Sequence, residues 1–325
     1  MRAVRFHRYG GPDVLRLDEI AQPSPGPGQV AVTVAYAGVN FAEVMARRGD
    51  WHLPLPYTPG LEIAGRVTVI GDGVDPDLLG APVAAFTGRG GYAEVAVASA
   101  DVLLPITPTD NVPLSVAVAS ACVLPTAWGV LLEAGRMRAG DTVLVHAAAG
   151  GVGSIIGQLA RHFDAKGVVG VVSTAAKADY AASFSCWDEL ILADDFPAGA
   201  EKLTSARGFD VICDSVGGST RAANMDLLAP LGRLVVFGNA SAAADIDYGL
   251  LKLQQTNRTV AGYNIAALAE GAPLVYRKHA LQALELMQHG IIRPDVTAVM
   301  PLSDARHAHE LLERRATTGK ILLQI

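Results

Sequence analysis

The sequence predicts an α/β protein of two domains, a β-rich one and a doubly wound parallel sheet, on three observations. The first hundred residues read as short strands broken by turns. From about residue 140, short apolar strands alternate with helices. A glycine-rich turn joins the first of those strands to its helix. A chain of 325 residues is too long for one comfortable core, and with half its residues hydrophobic and 18% charged it can fill two.

The elements follow in order. VAVTVAYA (residues 30–37) comes after the turn-forming PSPGPG (23–28), GRVTVI (65–70) runs into Gly71-Asp72-Gly73, and AEVAVA (93–98) alternates after GRGG. Residues 41–48 are the helix candidate of this part. Residues 114–133 are apolar and suit helices that pack on one another. TVLVH (142–146) is a short apolar strand, followed by a helix over about 151–163 and by strands at 168–172, 189–192, 210–213 and 234–237. Apolar strands separated by helices imply a parallel sheet covered on both faces. From about residue 278 a helix, a strand at 296–300, a helix at 303–314 and a last strand at 320–325 complete the pattern. No internal repeat or low-complexity linker interrupts it.

Composition removes several function classes. A net charge of −6 provides no basic stripe for nucleic acid and no polybasic patch for a membrane. The opening MRAVRFHRYGG lacks the apolar core of a signal peptide, and no run of about 18 apolar residues is free of Gly, Pro or polar breaks. The expectation is a cytoplasmic protein. Cys122, Cys186 and Cys213 are widely spaced with no C-x-x-C pair, which argues against a disulfide framework and a structural zinc lobe. They read as buried small hydrophobes.

The sharpest motif is Val145-His146-Ala147-Ala148-Ala149-Gly150-Gly151-Val152-Gly153. A strand ends, glycines turn the chain, and a helix begins with unpaired amides and the positive end of its dipole facing out. Such a turn accepts a pyrophosphate, and Ala149, Gly150, Gly151 and Val152 are the candidate contacts. The full G-x-G-x-x-G is absent, because Ile156 stands at the third glycine position. A tight connection without a ligand is the alternative. The next strand ends Val172-Ser173-Thr174-Ala175-Ala176-Lys177, where an NADH site would carry an acid. Two hydroxyls and a cation suit a 2′-phosphate instead, so Ser173, Thr174 and Lys177 point to NADPH, with a solvated lysine at the helix start the alternative for Lys177. Asp194 and Asp195, after the third strand, weigh the other way.

These pieces resemble the zinc-independent quinone oxidoreductase (zeta-crystallin-like) branch of the medium-chain dehydrogenases/reductases. The matching segments are Tyr9-Gly10-Gly11-Pro12, Gly38-Val39-Asn40-Phe41, PYTPGLEIAG (56–65), the HAAAGGVG turn, Phe237-Gly238-Asn239 and Thr318-Gly319-Lys320, in order along essentially the whole chain. The resemblance implies a GroES-like domain (1–118, completed by 272–325) and a Rossmann NADP(H)-binding domain (119–271), with the last strand rejoining the first. It also implies an active site in the cleft between them and a homodimer made by extending the Rossmann sheets. Zinc-dependent relatives would carry Cys and His where this chain has Ala37 and Leu61, so no metal is expected. Without that Lewis acid, hydride delivery favours a quinone or conjugated enone over a simple carbonyl.

The resemblance places Asn40 by the nicotinamide, as the candidate catalytic polar group and a cofactor contact; a turn-forming Asn after a strand is the alternative. Thr126, Val216, Phe237, Gly238, Asn239 and Lys320 are further cofactor candidates, with helix packing and a surface lysine the alternatives for Thr126 and Lys320. Met45 and Trp51 occupy positions where relatives often have tyrosines, which implies a more apolar substrate pocket. Tyr57 is included there, while its hydroxyl and that of Tyr263 have no assigned place. Glu62 reads as structural or as a hydrogen-bonding brace, and His146 as a buried hydrogen-bonded histidine more than an acid. Three functions follow as expectations: an NADPH-dependent quinone reductase; an enoyl reductase for a thioester or polyketide-type enone; or an NADPH-binding structural or RNA-binding protein.

Overall fold

The computed structural model describes residues 1–107, 112–204, 207–244 and 246–325. It groups into two compact units, Met1–Pro125 with Ile265–Ile325, and Thr126–Asn264. Along the first unit run β1 (Arg2–Arg5), β2 (Arg16–Glu19), β3 (Gln29–Val39), β4 (Glu62–Ile70), β5 (Pro82–Phe86), β6 (Val95–Ser99) and β7 (Leu103–Pro105). The second holds β8 (Thr142–His146), β9 (Gly167–Val172), β10 (Glu189–Leu192), β11 (Phe209–Asp214), β12 (Leu228–Val236) and β13 (Thr259–Gly262). β14 (Val296–Pro301) and β15 (Lys320–Gln324) return to the first.

The first unit is organised on β3. One edge of this strand pairs with β4; the other pairs with β6 over residues 29–33 and with β15 over residues 36–39, all antiparallel. Register shifts between Ala31 and Val32 and between Val34 and Tyr36 bulge the β3–β4 ladder, the kind of irregularity that raises local twist. The core beneath is built from Phe6, Val32, Ile63, Tyr92, Leu103 and Leu323, all buried.

The second unit is a six-stranded parallel sheet in the order β10-β9-β8-β11-β12-β13. Val143, Leu144 and Val145 of β8 and Val211, Ile212 and Cys213 of β11 are wholly buried, as strands covered on both faces must be. The chain winds outward from β8 to β10, then crosses back and winds outward from β11 to β13. The strand order therefore reverses between β8 and β11, and the carboxyl ends of that pair form the crevice where such sheets bind ligands. The helix Gly151–His162 buries Ile155, Ile156, Leu159 and Ala160 and ends in Arg161 and His162, cations suited to its negative pole.

Several elements differ from the sequence reading. β13 and the helix Leu250–Thr256 carry too little apolar periodicity to announce themselves, since the strand has four residues and the helix buries none. The helix expected from about residue 278 starts at Pro273, with proline in its first turn, a position the ring favours. Among the described residues no single helix is long and apolar enough to cross a membrane; only the bent pair Leu114–Ala121 and Val123–Ala134 reaches that length and composition together.

Arg47 anchors the helix Phe41–Arg48 (the candidate at 41–48) inside the first unit. Its buried guanidinium donates to the Gly10 carbonyl, to Glu313 Oε1 and, through Nε at 3.3 Å, to His309 Nδ1. The neutral His309 ring therefore carries its proton on Nε2, which lies 3.3 Å from the Tyr92 hydroxyl. Burial, aided by the Arg47 charge, pushes His309 down to about 3 from 6.5. Between those values the unfolded chain binds the extra proton, so stability rises with pH and is lost as pH falls below the unfolded value. Urea denaturation at pH 7 and pH 5 should show an acid-side loss of up to about 1.4 kcal/mol per pH unit from this group. His309→Gln should reduce the wild-type slope by that amount; an equal slope in both proteins would contradict the assignment.

Candidate active site

In the first unit the site is a cluster of buried ions beneath Asn40. Asn40 ends the extended run of β3 and caps the helix Phe41–Arg48. Its backbone N–H donates to Glu43 Oε2 at 2.8 Å, the reach-back arm of a capping box. Glu43 Oε1 also accepts the Leu61 N–H at 2.9 Å, which ties the helix to the segment leading into β4. The Asn40 amide Nδ2 donates to Glu62 Oε1 at 3.1 Å and, more loosely, to Glu43 Oε1 at 3.4 Å. Lys320, first residue of β15, donates its ammonium to Asn40 Oδ1, to Glu62 Oε1 and, at 3.3 Å, to the Val39 carbonyl.

These charges lie out of solvent: Glu62 is 0%, Glu43 2% and Lys320 3% exposed. Lys320 pairs with Glu62 while Glu43 only feels its charge, and Glu62 Oε2 has no partner among the described residues. Burial therefore pushes Glu43 up to about 7, against the opposing Lys320 charge and backbone N–H donors, with Glu62 adding to the rise. The cluster also dictates a glycine. A Cβ on Gly38 would lie 2.2 Å from Glu62 Oε1, so the carboxylate occupies the space a side chain would need.

In the second unit the carboxyl ends of β8, β11 and β12 carry three loops. After β8 the turn places Gly150 at the cap of the helix Gly151–His162 with no side chain capping it. The first helical bond runs from the Ser154 N–H to the Gly150 carbonyl at 3.0 Å, so the amides of residues 151–153 precede the ladder. Gly153 packs on the turn so closely that a Cβ would lie 2.4 Å from the Ala147 carbonyl oxygen. After β11 the wholly buried Asp214 accepts the N–H groups of Val216 at 2.7 Å and Gly217 at 3.0 Å. Its second oxygen accepts from Arg221 Nε at 3.0 Å, and Arg221 Nη2 reaches the Gly238 carbonyl at 2.7 Å. Backbone bonds from Ala240 to Ser215 and from Ser241 to Val216 zip the loops after β11 and β12 together.

Residues 187–323 match a family model described as "Zinc-binding dehydrogenase", and residues 26–108 match "Alcohol dehydrogenase GroES-like domain". A probable quinone oxidoreductase of Schizosaccharomyces pombe is 34% identical, covering 98% of this chain and 96% of its own. A 2-haloacrylate reductase of a Burkholderia species is 32% identical, covering 99% and 98%. The chain belongs to the zinc-independent quinone oxidoreductase family of medium-chain dehydrogenases/reductases. Among solved structures, the Escherichia coli quinone oxidoreductase complexed with NADPH superposes with a TM-score of 0.91 at 30% identity, covering 100% of both chains.

As a family member the chain has its first unit in the GroES-like class and its second in the Rossmann class. Ala37 and Leu61 fall on β3 and just before β4, with no metal-binding atom in either side chain. Among the described residues no group of three or more His, Cys, Asp or Glu is placed to hold a metal ion. Asn40 and Lys320 are brought together, and the surface-lysine alternative for Lys320 is corrected by its burial in the ion cluster. Tyr57 is buried, with its hydroxyl 3.5 Å from the Gly88 carbonyl, and burial pushes it up to about 12. It lines a groove of about 550 Å³ with Leu55, Pro56, Thr58 and Arg89. Half-buried Met45 and exposed Trp51 do not line that groove.

In the Rossmann unit, Ala149 is buried and has only backbone to offer, while Gly150, Gly151 and Val152 are partly open. Ser173 and Thr174 are exposed after β9, and the Thr174 hydroxyl caps the following helix by accepting the Lys177 N–H at 3.3 Å. β10 runs parallel to β9 with Leu192 opposite Val172, so exposed Asp194 and Asp195 stand at the same edge. Val216 and Phe237 to Asn239 lie on the zipped loops, and Thr126 is buried on the helix Val123–Trp128. His146 is buried, with Nε2 2.8 Å from Asn224 Oδ1, as the hydrogen-bonded reading has it.

Glu43, Asp214 and Arg221 are missing from the sequence reading. Asn40-x-x-Glu43 is a recognisable capping pattern; Asp214 and Arg221 leave no local mark because their pairing spans a turn. Gly38→Ala should cost about 1–3 kcal/mol by forcing the Glu62 carboxylate aside. Chemical denaturation checks it, and an unchanged midpoint would show that the cluster has room to spare.

Proposed function

We propose that the protein is an NADPH-dependent reductase delivering hydride to a quinone, or to a conjugated enone, without a metal. The observation that carries this is the uncapped helix N-terminus at the point where the Rossmann strand order reverses, a cradle for a pyrophosphate. Lys177 and the hydroxyls of Ser173 and Thr174 suit a 2′-phosphate at the neighbouring strand end. The NADPH complex of the Escherichia coli relative supports the same choice.

When bound, NADPH supplies a hydride from its nicotinamide ring. The proposed contacts are the backbone of Ala149 to Val152 for the pyrophosphate, and Thr126, Val216, Phe237, Gly238 and Asn239 for the nicotinamide half. Asn40 is the polar group of the reaction site, with Met45, Trp51 and Tyr57 toward the substrate. A conjugated acceptor spreads the arriving charge onto oxygen, which is why no Lewis acid is required. The 2-haloacrylate reductase among the relatives favours a second reading, reduction of an activated alkene such as an enone or enoyl thioester, by the same chemistry.

A homodimer belongs to this reading. β13 ends the Rossmann sheet, and among the described residues no strand pairs with its outer edge. Val260 on it is 40% exposed, and Leu250 and Leu251 of the preceding helix are exposed as well. A cytoplasmic setting is part of the proposal too, supported by three buried cysteines with no disulfide among the described residues.

The test is oxidation of NADPH and NADH against quinones, simple enones and crotonyl-type thioesters. Turnover should favour NADPH with quinones, and Lys177→Ala should raise the NADPH KM roughly tenfold or more while leaving that for NADH unchanged. An NADH preference would assign the adenosine end to Asp194 or Asp195. Binding without turnover of any acceptor would favour a cofactor-binding protein instead.

A further inference from the structure

The amide of Asn40 has its orientation forced by charge. Reversing it would set an NH₂ group against the Lys320 ammonium and a carbonyl oxygen against two carboxyls. As it stands, one Nδ2 proton goes to Glu62 and the other is directed at Glu43, so neither N–H is left for a ligand. The ammonium is spent as well: its three protons go to Glu62, Asn40 and Val39. The half-buried amide therefore has one atom, Oδ1, that can take up a further hydrogen bond.

We infer that Glu43, Glu62 and Lys320 are positioning residues that lock the Asn40 amide so that it meets the bound cofactor as a hydrogen-bond acceptor. This rests on the proposed NADPH-dependent reductase. Asn40 then recognises a donor on the nicotinamide half of NADPH, a hydroxyl or amide N–H, and supplies neither a proton nor a hydrogen bond to the oxygen of the reduced substrate. Lys320 acts through Asn40 and touches no phosphate. Glu43 faces Lys320 from β15 and Glu62 from β4, and its charge is also felt by Tyr57 and Tyr92.

The test reads NADPH binding by nicotinamide fluorescence and kcat by quinone-dependent oxidation, with thermal melting to confirm folding. Asn40→Leu should raise the NADPH Kd by ~10-fold, the worth of one hydrogen bond. The paired exchange Asn40→Asp with Glu62→Gln keeps net charge, leaves Lys320 a carboxylate to hold and gives residue 40 a side chain of oxygens alone. It should return both Kd and kcat to within about threefold of the wild type. If it restores Kd while kcat stays as low as in Asn40→Leu, the amide donates to the substrate and the inference fails. An unchanged Kd in Asn40→Leu overturns it too.

Should the exchange not fold, Glu43→Gln decides, because it places an NH₂ group among the donors that Glu43 accepts. A Kd raised by ~10-fold in the folded variant supports the lock, and an unchanged Kd refutes it. Failure of wild-type protein to bind NADPH would remove the functional reading itself, and this inference with it.

Discussion

One buried ammonium holds the first unit's site together. Lys320 opens the last strand, and its charge is compensated by Glu62 on β4, the side-chain Oδ1 of Asn40 and the Val39 backbone carbonyl on β3. Removing a charge from water costs several kcal/mol unless hydrogen bonds replace the lost solvation, so these partners must stay in place together. The requirement spreads outward. Glu62 needs the space left by Gly38, and Glu43 must collect the N–H groups of Asn40 and Leu61. The helix bearing Glu43 is fixed at its other end by Arg47. The end of the chain is thereby part of the site.

The second unit solves the same problem of fixing loops with few charges exposed. The loops at its strand ends are fixed by backbone: helix amides after β8 precede the hydrogen-bond ladder, and main-chain bonds zip the two loops after β11 and β12. The buried ion pair of Asp214 with Arg221 ties those loops together, since Asp214 accepts from the loop after β11 and Arg221 reaches the Gly238 carbonyl. Removing Arg221 would leave the Asp214 carboxylate buried without that counter-ion, the costly half of such a pair. Backbone dipoles suit a phosphate-rich ligand because they offer attraction without a counter-ion that must itself be stabilised.

Legibility in the sequence followed the range of the interactions. The glycine turn was readable because its strand, turn and helix are contiguous, and the parallel sheet because both strand faces are apolar. The helix Phe41–Arg48 was expected at residues 41–48, where it lies. Lys320 was not readable as buried: in KILLQ a first-position lysine looks like a strand end in solvent, and its acid partner is distant in the chain. Asp214 and Arg221 are hidden for a different reason: they are close in sequence, and each is unremarkable until the turn folds one onto the other. β13 was missed because an edge strand of four residues, largely exposed, carries no alternation to read.

Direct hydride transfer from bound NADPH with no metal in the path should appear as a primary isotope effect. NADPH deuterated at the transferred position of C4 would be oxidised in a single turnover by chelator-treated protein with a quinone in excess. Oxidation of the deuterated cofactor should be slower, and the chelator should make no difference. Loss of oxidation on chelation, or equal rates for the two isotopes in that single turnover, would contradict it.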